Sequence, residues 1–413
     1  MKRFGRSIMA IVLTLGTLLT GTVPAALAEA ATGQPHVLTA NSLALAITAG
    51  PDGNLWFTGL GSNTISRIAP NGTVTGEFPL PTPNSLPTSI TVGPDGNLWF
   101  TELGANKIGR MAPDGTLLNE YPLPTPASMP TSITTGPDGS IWFTEFAANK
   151  IGRIPTEGLI MVYEYPIPTL NSLPLNMTVG PDGYLWFTEF GTNKIGRINT
   201  SGVITNEYPL LNPKSIPTGI VTGPDGNLWF TELGADRISR ITRSGQILDG
   251  YPIPTSDSHP TGITVGPDGN LWFTELGTNR VGRIDKASGV ITEYPVSVPN
   301  SLPAGITTGP DGTLWYAELG TNKIGRTTMD GAGYSYRIPS QAGLPNGIIP
   351  GCPASDDSTT GPIVCNLGSD ATSATFQIVL TITTPDQSTI IEIGWLSTGD
   401  ESTQGTVRFE RKP

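Results

Sequence analysis

Imidazole and thiol are scarce in this chain. Only two histidines, His36 and His259, and two cysteines, Cys352 and Cys365, occur in 413 residues. Chemistry that needs several imidazoles is therefore restricted from the start. Charge is sparse as well. Charged residues make up 14%, and 23 Lys and Arg are outnumbered by 34 Asp and Glu, a net charge of −11. No basic patch can form that would neutralise phosphates, so a nucleic-acid partner is excluded. No Gly-x-Ser-x-Gly elbow, phosphate-binding Walker loop or HExxH zinc motif occurs. After the first few residues, no apolar run is long enough to span a membrane. Long uninterrupted helices are excluded by 51 Gly and 39 Pro, about a fifth of the chain.

What is present argues against disorder. The chain is 37% hydrophobic and has eight Trp, enough to bury a large core. It opens on Lys2, Arg3 and Arg6, an apolar run from Ile8 to Val23, and small residues at Ala26 and Ala28. This is the pattern of a secretory signal peptide over residues 1–28, with cleavage after Ala28. The expected product is secreted or attached to the cell surface, monomeric, and without a membrane span. In an oxidising compartment, Cys352 and Cys365 form a disulfide. Two thiols with no nearby His leave zinc short of ligands.

One unit recurs seven times. A Trp followed by Phe or Tyr stands at Trp56, Trp99, Trp142, Trp186, Trp229, Trp272 and Trp315, spaced by 43, 43, 44, 43, 43 and 43 residues. Each copy has four short apolar runs separated by turn signals. In the second copy they are Ile90–Val92, Leu98–Glu102, Lys107–Met111 and Leu117–Leu123. Asp-Gly, as at Asp95-Gly96, divides the first two runs, because Gly accepts the positive φ of a hairpin turn. Four strands in about 43 residues make a propeller blade. The expected fold is all-β: a seven-bladed β-propeller over residues 29–350, then a small β-sandwich-like C-terminal module over 351–413. Within a blade, Leu98 and Phe100 face one neighbour and Trp99 and Thr101 the other. The third-run glycines (Gly109, Gly152, Gly196, Gly282, Gly325) let a large ring approach the backbone. His36–Thr39 is placed to compete for, or pair beside, the outer edge of the last blade, where Tyr334–Ile338 already offers a fourth run.

The motif GPDGNLWFTELGTNKIGRI and the EYPIPT linkers resemble the streptogramin B lyase family, over roughly residues 36–350. The resemblance implies a seven-bladed propeller. For the enzymes of the family it also implies Mg²⁺-assisted opening of a cyclic depsipeptide lactone by elimination. That reaction needs a base to take a proton α to a carbonyl, and a cation to hold the enolate. The resemblance places a His after the Pro that opens blades six and seven, and a metal-binding Glu before that Pro in blade seven. Here Thr261 and Ala304 stand at the His positions and Leu302 at the Glu position. A further family Glu is matched by Glu318. The catalytic candidates are thus His259 and Glu318, with Mg²⁺ as cofactor only under a lyase reading.

Six glutamates, Glu102, Glu145, Glu189, Glu232, Glu275 and Glu318, close the second strand of six blades; blade one has Gly59 there. They are metal- or ligand-binding candidates if they ring an acidic mouth. Their identical placement also fits a repeated structural bond to Lys107 or Arg110 of the same blade, and to the equivalents elsewhere. From Cys352 on, Thr and Ser dominate, with β-branched alternation at Thr375–Thr383 and Thr389–Trp395 and a last run at Thr406–Glu410. This tail resembles the latter half of an Ig-like repeat domain of bacterial surface proteins. The functional expectation is a non-catalytic protein binding a small molecule or a cell-surface ligand. The alternatives are a Mg²⁺-dependent C–O lyase and a purely structural surface repeat.

Overall fold

A computed structural model describes residues 42–337 and, as backbone strands, 364–366, 375–383, 388–397 and 406–408. The chain divides into two compact units, residues 1–340 and 341–413. In the second unit, Thr375–Thr383 pairs antiparallel with Ser388–Ser397, and Val364–Asn366 with Thr406–Arg408. Cys352, and with it the expected disulfide, lies outside the described residues, as do the signal segment and His36–Thr39.

The first unit is a seven-bladed β-propeller. Seven antiparallel sheets follow one another, each with four strands in chain order. Blade two is typical: Pro87–Val92, Leu98–Glu102, Lys107–Met111 and Leu117–Pro122. Blade one starts at Ala44–Ala49 and blade seven ends at Gly333–Arg337.

The Gly-Pro-Asp-Gly turn organises each blade. Gly96 takes a φ of 72°, which closes the hairpin between the first two strands. Asp95 Oδ1 accepts the indole N–H of Trp99 at 3.1 Å, and Asp95 Oδ2 lies 2.6 Å from the Arg110 guanidinium. That guanidinium sits over the Trp99 ring, 5.3 Å from its centroid. The indole also stacks on Tyr121, with centroids 5.5 Å apart. A buried indole needs a partner for its one donor, and the turn Asp supplies it.

The two faces of each blade divide as the alternation requires. Trp99 and Ile108 pack with Ile133, Ile141, Phe143 and Ile154 of the next blade. Leu98 and Phe100 pack with Trp56 and Ile65 of the previous one. The third-strand glycine makes room for the second-strand ring of its own blade. A Cβ on Gly152 would lie 2.1 Å from the Phe143 ring. The ring of blades closes by the same packing. Ala44, Ile47, Leu55, Phe57 and Ile68 of blade one meet Trp315, Ala317 and Ile324 of blade seven. Blade seven takes its outer strand from its own chain, Ile324 pairing with Tyr336.

Gly152→Ala is therefore expected to destabilise the propeller by about 1–3 kcal/mol through overpacking. Phe143→Leu in the same chain should recover part of that loss. Thermal denaturation of both variants checks this; an unchanged transition in Gly152→Ala refutes it.

Candidate functional site

The crossovers between blades and the loops joining second to third strands lie on one side of the ring, and an Asn in the loop ties the two together in several blades. Asn106, at φ 58°, donates to Thr125 O at 2.9 Å and accepts from the Ser128 amide at 2.7 Å. Asn63, Asn149 and Asn279 bind their crossovers in the same way. Blade five has Asp236 instead, and its carboxylate accepts the amides of Asp257 and His259 at 2.9 and 3.0 Å.

His259 lies on this face. Its backbone is left-handed, with φ 47°, and it is half-buried. The same conformation recurs at Leu86, Met129, Leu173, Ile216 and Leu302, the equivalent position of other blades. The imidazole rests on Gly277, where an added Cβ would come within 2.4 Å of Nδ1. Leu302 lies over Gly320 in the same manner. His259 thus occupies the repeat's aliphatic position.

Thr261 and Ala304, which stand where the family resemblance places His, belong to a hydrogen-bonded seam between blades. Thr261 Oγ1 is 3.1 Å from Thr274 Oγ1, and Thr274 Oγ1 donates to Ala304 O at 2.6 Å. Thr88 and Thr101 make the same pair in blade two, at 2.8 Å. Ala304 is buried, and Leu302 offers an alkyl group where a metal ligand would be required.

The six glutamates form the expected ring, but their side chains are turned inward beneath the crossovers. Glu102, Glu145, Glu189, Glu275 and Glu318 have no exposed surface, and Glu232 has 5%. The pairing expected from the sequence is also redistributed. Arg110 goes to Asp95, and Lys107 goes to Glu120 of the fourth strand at 2.8 Å. Glu102, Lys107 and Glu120 share one face, because Glu102 pairs with Lys107 and Glu120 lies opposite Gly109.

Each such station holds two carboxyls and one cation. An ionised Glu102 would find no donor for either oxygen. The Ser85 hydroxyl beside it is spent on Thr82 O at 2.7 Å. Burial, and then the negative charge of Glu120, push the Glu102 carboxyl up to about 7, against Lys107 and Ser85. Despite its own burial, Glu120 is held below the usual carboxylate range by hydrogen bonds from Lys107 and Thr82. The charge of Glu120 beside it thus disfavours a second carboxylate at the station. Glu145 and Glu189 are likewise raised to about 7, first by burial and then with Glu164 and Glu207 contributing. Glu275 rises to about 8 by burial and the nearby Glu293.

The stations without a second carboxyl are built differently. In blade five, Gly250 replaces the fourth-strand Glu, and Ser215 Oγ donates to Glu232 at 2.6 Å. In blade seven, Ser335 replaces it. Glu318 accepts from Ser335 at 2.5 Å and Thr321 at 2.7 Å, with Ser301 Oγ at 2.9 Å. Blade one has Gly59 and no lysine: Thr64 stands at the cation position.

These arrangements do not fit a bound Mg²⁺. A hard cation needs several oxygen ligands, usually carboxylate. The Glu318 oxygens are already occupied by hydroxyls, Leu302 supplies none, and among the described residues no group of three His, Cys, Asp or Glu side chains is arranged to hold a metal. The fourth-strand glutamates were missed in the sequence, although the linker motif Glu120-Tyr121-Pro122 contained them. Strand register would have placed them on the same face as the second-strand Glu.

By class this is a seven-bladed propeller of the lyase type, with a threonine seam where that type carries histidine. It belongs to the virginiamycin B lyase family, whose profile matches residues 18–248 and 205–356. Among solved structures, a streptogramin B lyase is 43% identical, with a TM-score of 0.65, covering 69% of this chain and 93% of its own. The selenomethionine-substituted virginiamycin B lyase from Staphylococcus aureus is 43% identical, with a TM-score of 0.64, covering 70% of this chain and 96% of its own. A catalytically inactive histidine-to-alanine variant of that S. aureus lyase, crystallised with quinupristin, is 43% identical, with a TM-score of 0.65 and coverage of 71% and 97%. Among curated proteins, no match was found.

Lys107→Met leaves Glu102 and Glu120 facing each other without their cation. It is expected to cost about 1–3 kcal/mol at pH 6, whereas Glu102→Gln, which keeps a neutral donor, should stay within about 1 kcal/mol. Urea unfolding of the two variants at that pH tests the order; equal losses would contradict it.

Proposed function

We propose that this propeller binds a ligand at its crossover face and does not cleave it. The observation that carries this reading is the seam at Thr261 and Ala304. Where the resemblance puts the lyase histidines, one hydroxyl is committed to Thr274 and the other side chain is a buried methyl group. Neither can take a proton α to a carbonyl near neutral pH. Glu318, the remaining match to the family's acidic residues, is held by Ser335 and Thr321 inside the blade. An inactive histidine-to-alanine relative was nonetheless crystallised with quinupristin. Binding on this fold is therefore separable from turnover, and this chain carries alanine at a family histidine position. The basic start and apolar run from Ile8 to Val23 support export, which would put the ligand outside the cell.

The test incubates residues 29–413 with quinupristin and Mg²⁺. Calorimetry is expected to show saturable binding, and chromatography with mass detection an unchanged lactone. A new peak of unchanged mass means elimination and refutes the reading. Absence of both binding and turnover refutes it too, and leaves the structural-repeat alternative.

A further inference from the structure

We propose that the buried carboxyl pairs of blades two, three and four each hold one proton in mildly acidic medium and act as latches that loosen the crossovers as the pH rises through neutrality. The inference rests on charge count and on what the stations touch. Each contains two carboxyls and one lysine: Glu102, Glu120 and Lys107; Glu145, Glu164 and Lys150; Glu189, Glu207 and Lys194. Ser85, Ser128 and Ser172 face the second-strand Glu from the crossovers, and Thr192 donates to Glu189 from its own loop. One cation balances one carboxylate, so burial forces the second carboxyl to keep its proton.

The same lysine and fourth-strand Glu grip the crossover. Lys107 Nζ donates to Thr82 Oγ1 at 2.7 Å, and Thr82 Oγ1 donates to Glu120 at 2.6 Å. Glu164 accepts both the amide and the hydroxyl of Thr125, at 2.8 and 2.5 Å, and Lys150 reaches that hydroxyl at 2.5 Å. Lys194 donates to Thr169 Oγ1 at 2.6 Å. When the second-strand Glu loses its proton, two carboxylates compete for one lysine. The lysine is drawn toward the new carboxylate, and the hold on the crossover threonine weakens.

The sign follows from the direction of the shift. An acid raised from its ordinary value to about 7 leaves the latched state fully stable below the carboxylate range. That stability is lost as pH rises through the folded value. Blade six shares the pairing through Glu275, Glu293 and Arg280. Blades five and seven have a single carboxyl at the station, so their crossovers serve as internal controls.

Two measurements on the full chain decide the matter. Infrared titration should show protonated-carboxyl stretches at pH 6 that vanish by pH 9, with a smaller amplitude in Glu102→Gln. Amide hydrogen exchange, corrected for intrinsic rate, should show protection of the Ser85, Ser128 and Ser172 amides falling about tenfold per pH unit through the titration, while the Ser301 amide stays unchanged. In Glu120→Gln the Ser85 response should disappear. If that variant does not fold, the wild-type titration and exchange still decide. No protonated carboxyl at pH 6, or an equal loss of protection at Ser301, overturns the proposal.

Discussion

Everything in this propeller depends on one hydrogen-bonded corner, the turn Asp that receives the indole of its own blade. Asp138 takes the Trp142 N–H at 2.9 Å and holds the Arg153 guanidinium at 2.8 Å. Without that acceptor, the indole could not be buried between blades at tolerable cost, because an unpaired buried N–H loses its hydration with no return. With it, seven tryptophans become the largest pieces of seven interblade cores. An arginine guanidinium lies over the ring in six of the blades. Ring closure needs no extra device among the described strands, since blade seven offers blade one the same Trp315 face that every other blade offers its neighbour.

The crossover face is built on a second constraint, the balance of buried charge. Where two glutamates meet one lysine, burial and the second charge raise the second-strand carboxyl. Where the fourth-strand Glu is lost, as at Gly250 and Ser335, the remaining Glu faces a cation and hydroxyls. In blade one, Gly59 and Thr64 stand at the second-strand Glu and lysine positions, and Glu77 remains on the fourth strand. A ring of acidic residues in a sequence thus need not be an acidic surface. Here it is an internal scaffold that fixes the loops above it.

Family membership rests on the blade residues. The residues that make a blade are intact throughout, and the relatives at 43% identity share the propeller over nearly their whole length. At the positions where the resemblance places histidine, Thr261 and Ala304 serve the seam between blades. Thr261 repeats what Thr88 does in blade two, and His259 fills the position that Leu302 fills in blade seven. These positions follow the repeat's structural pattern.

Much of the fold could be read from the chain alone. The 43-residue period, the Asp-Gly turns and the alternation around Trp99 determine blade number, strand order and which side chains enter which core, because each is a local property repeated seven times. The absence of histidine at Thr261 and Ala304 was legible in the same way. The partners of the glutamates were not. Whether Lys107 serves Glu102, Glu120 or both depends on strand register, on the side to which each carboxyl turns, and on the crossover closing above them. Burial then decides protonation, and burial is a property of the assembled ring. Sequence spacing places charges on strands, but only the tertiary structure removes water from around them, and that removal sets their chemistry.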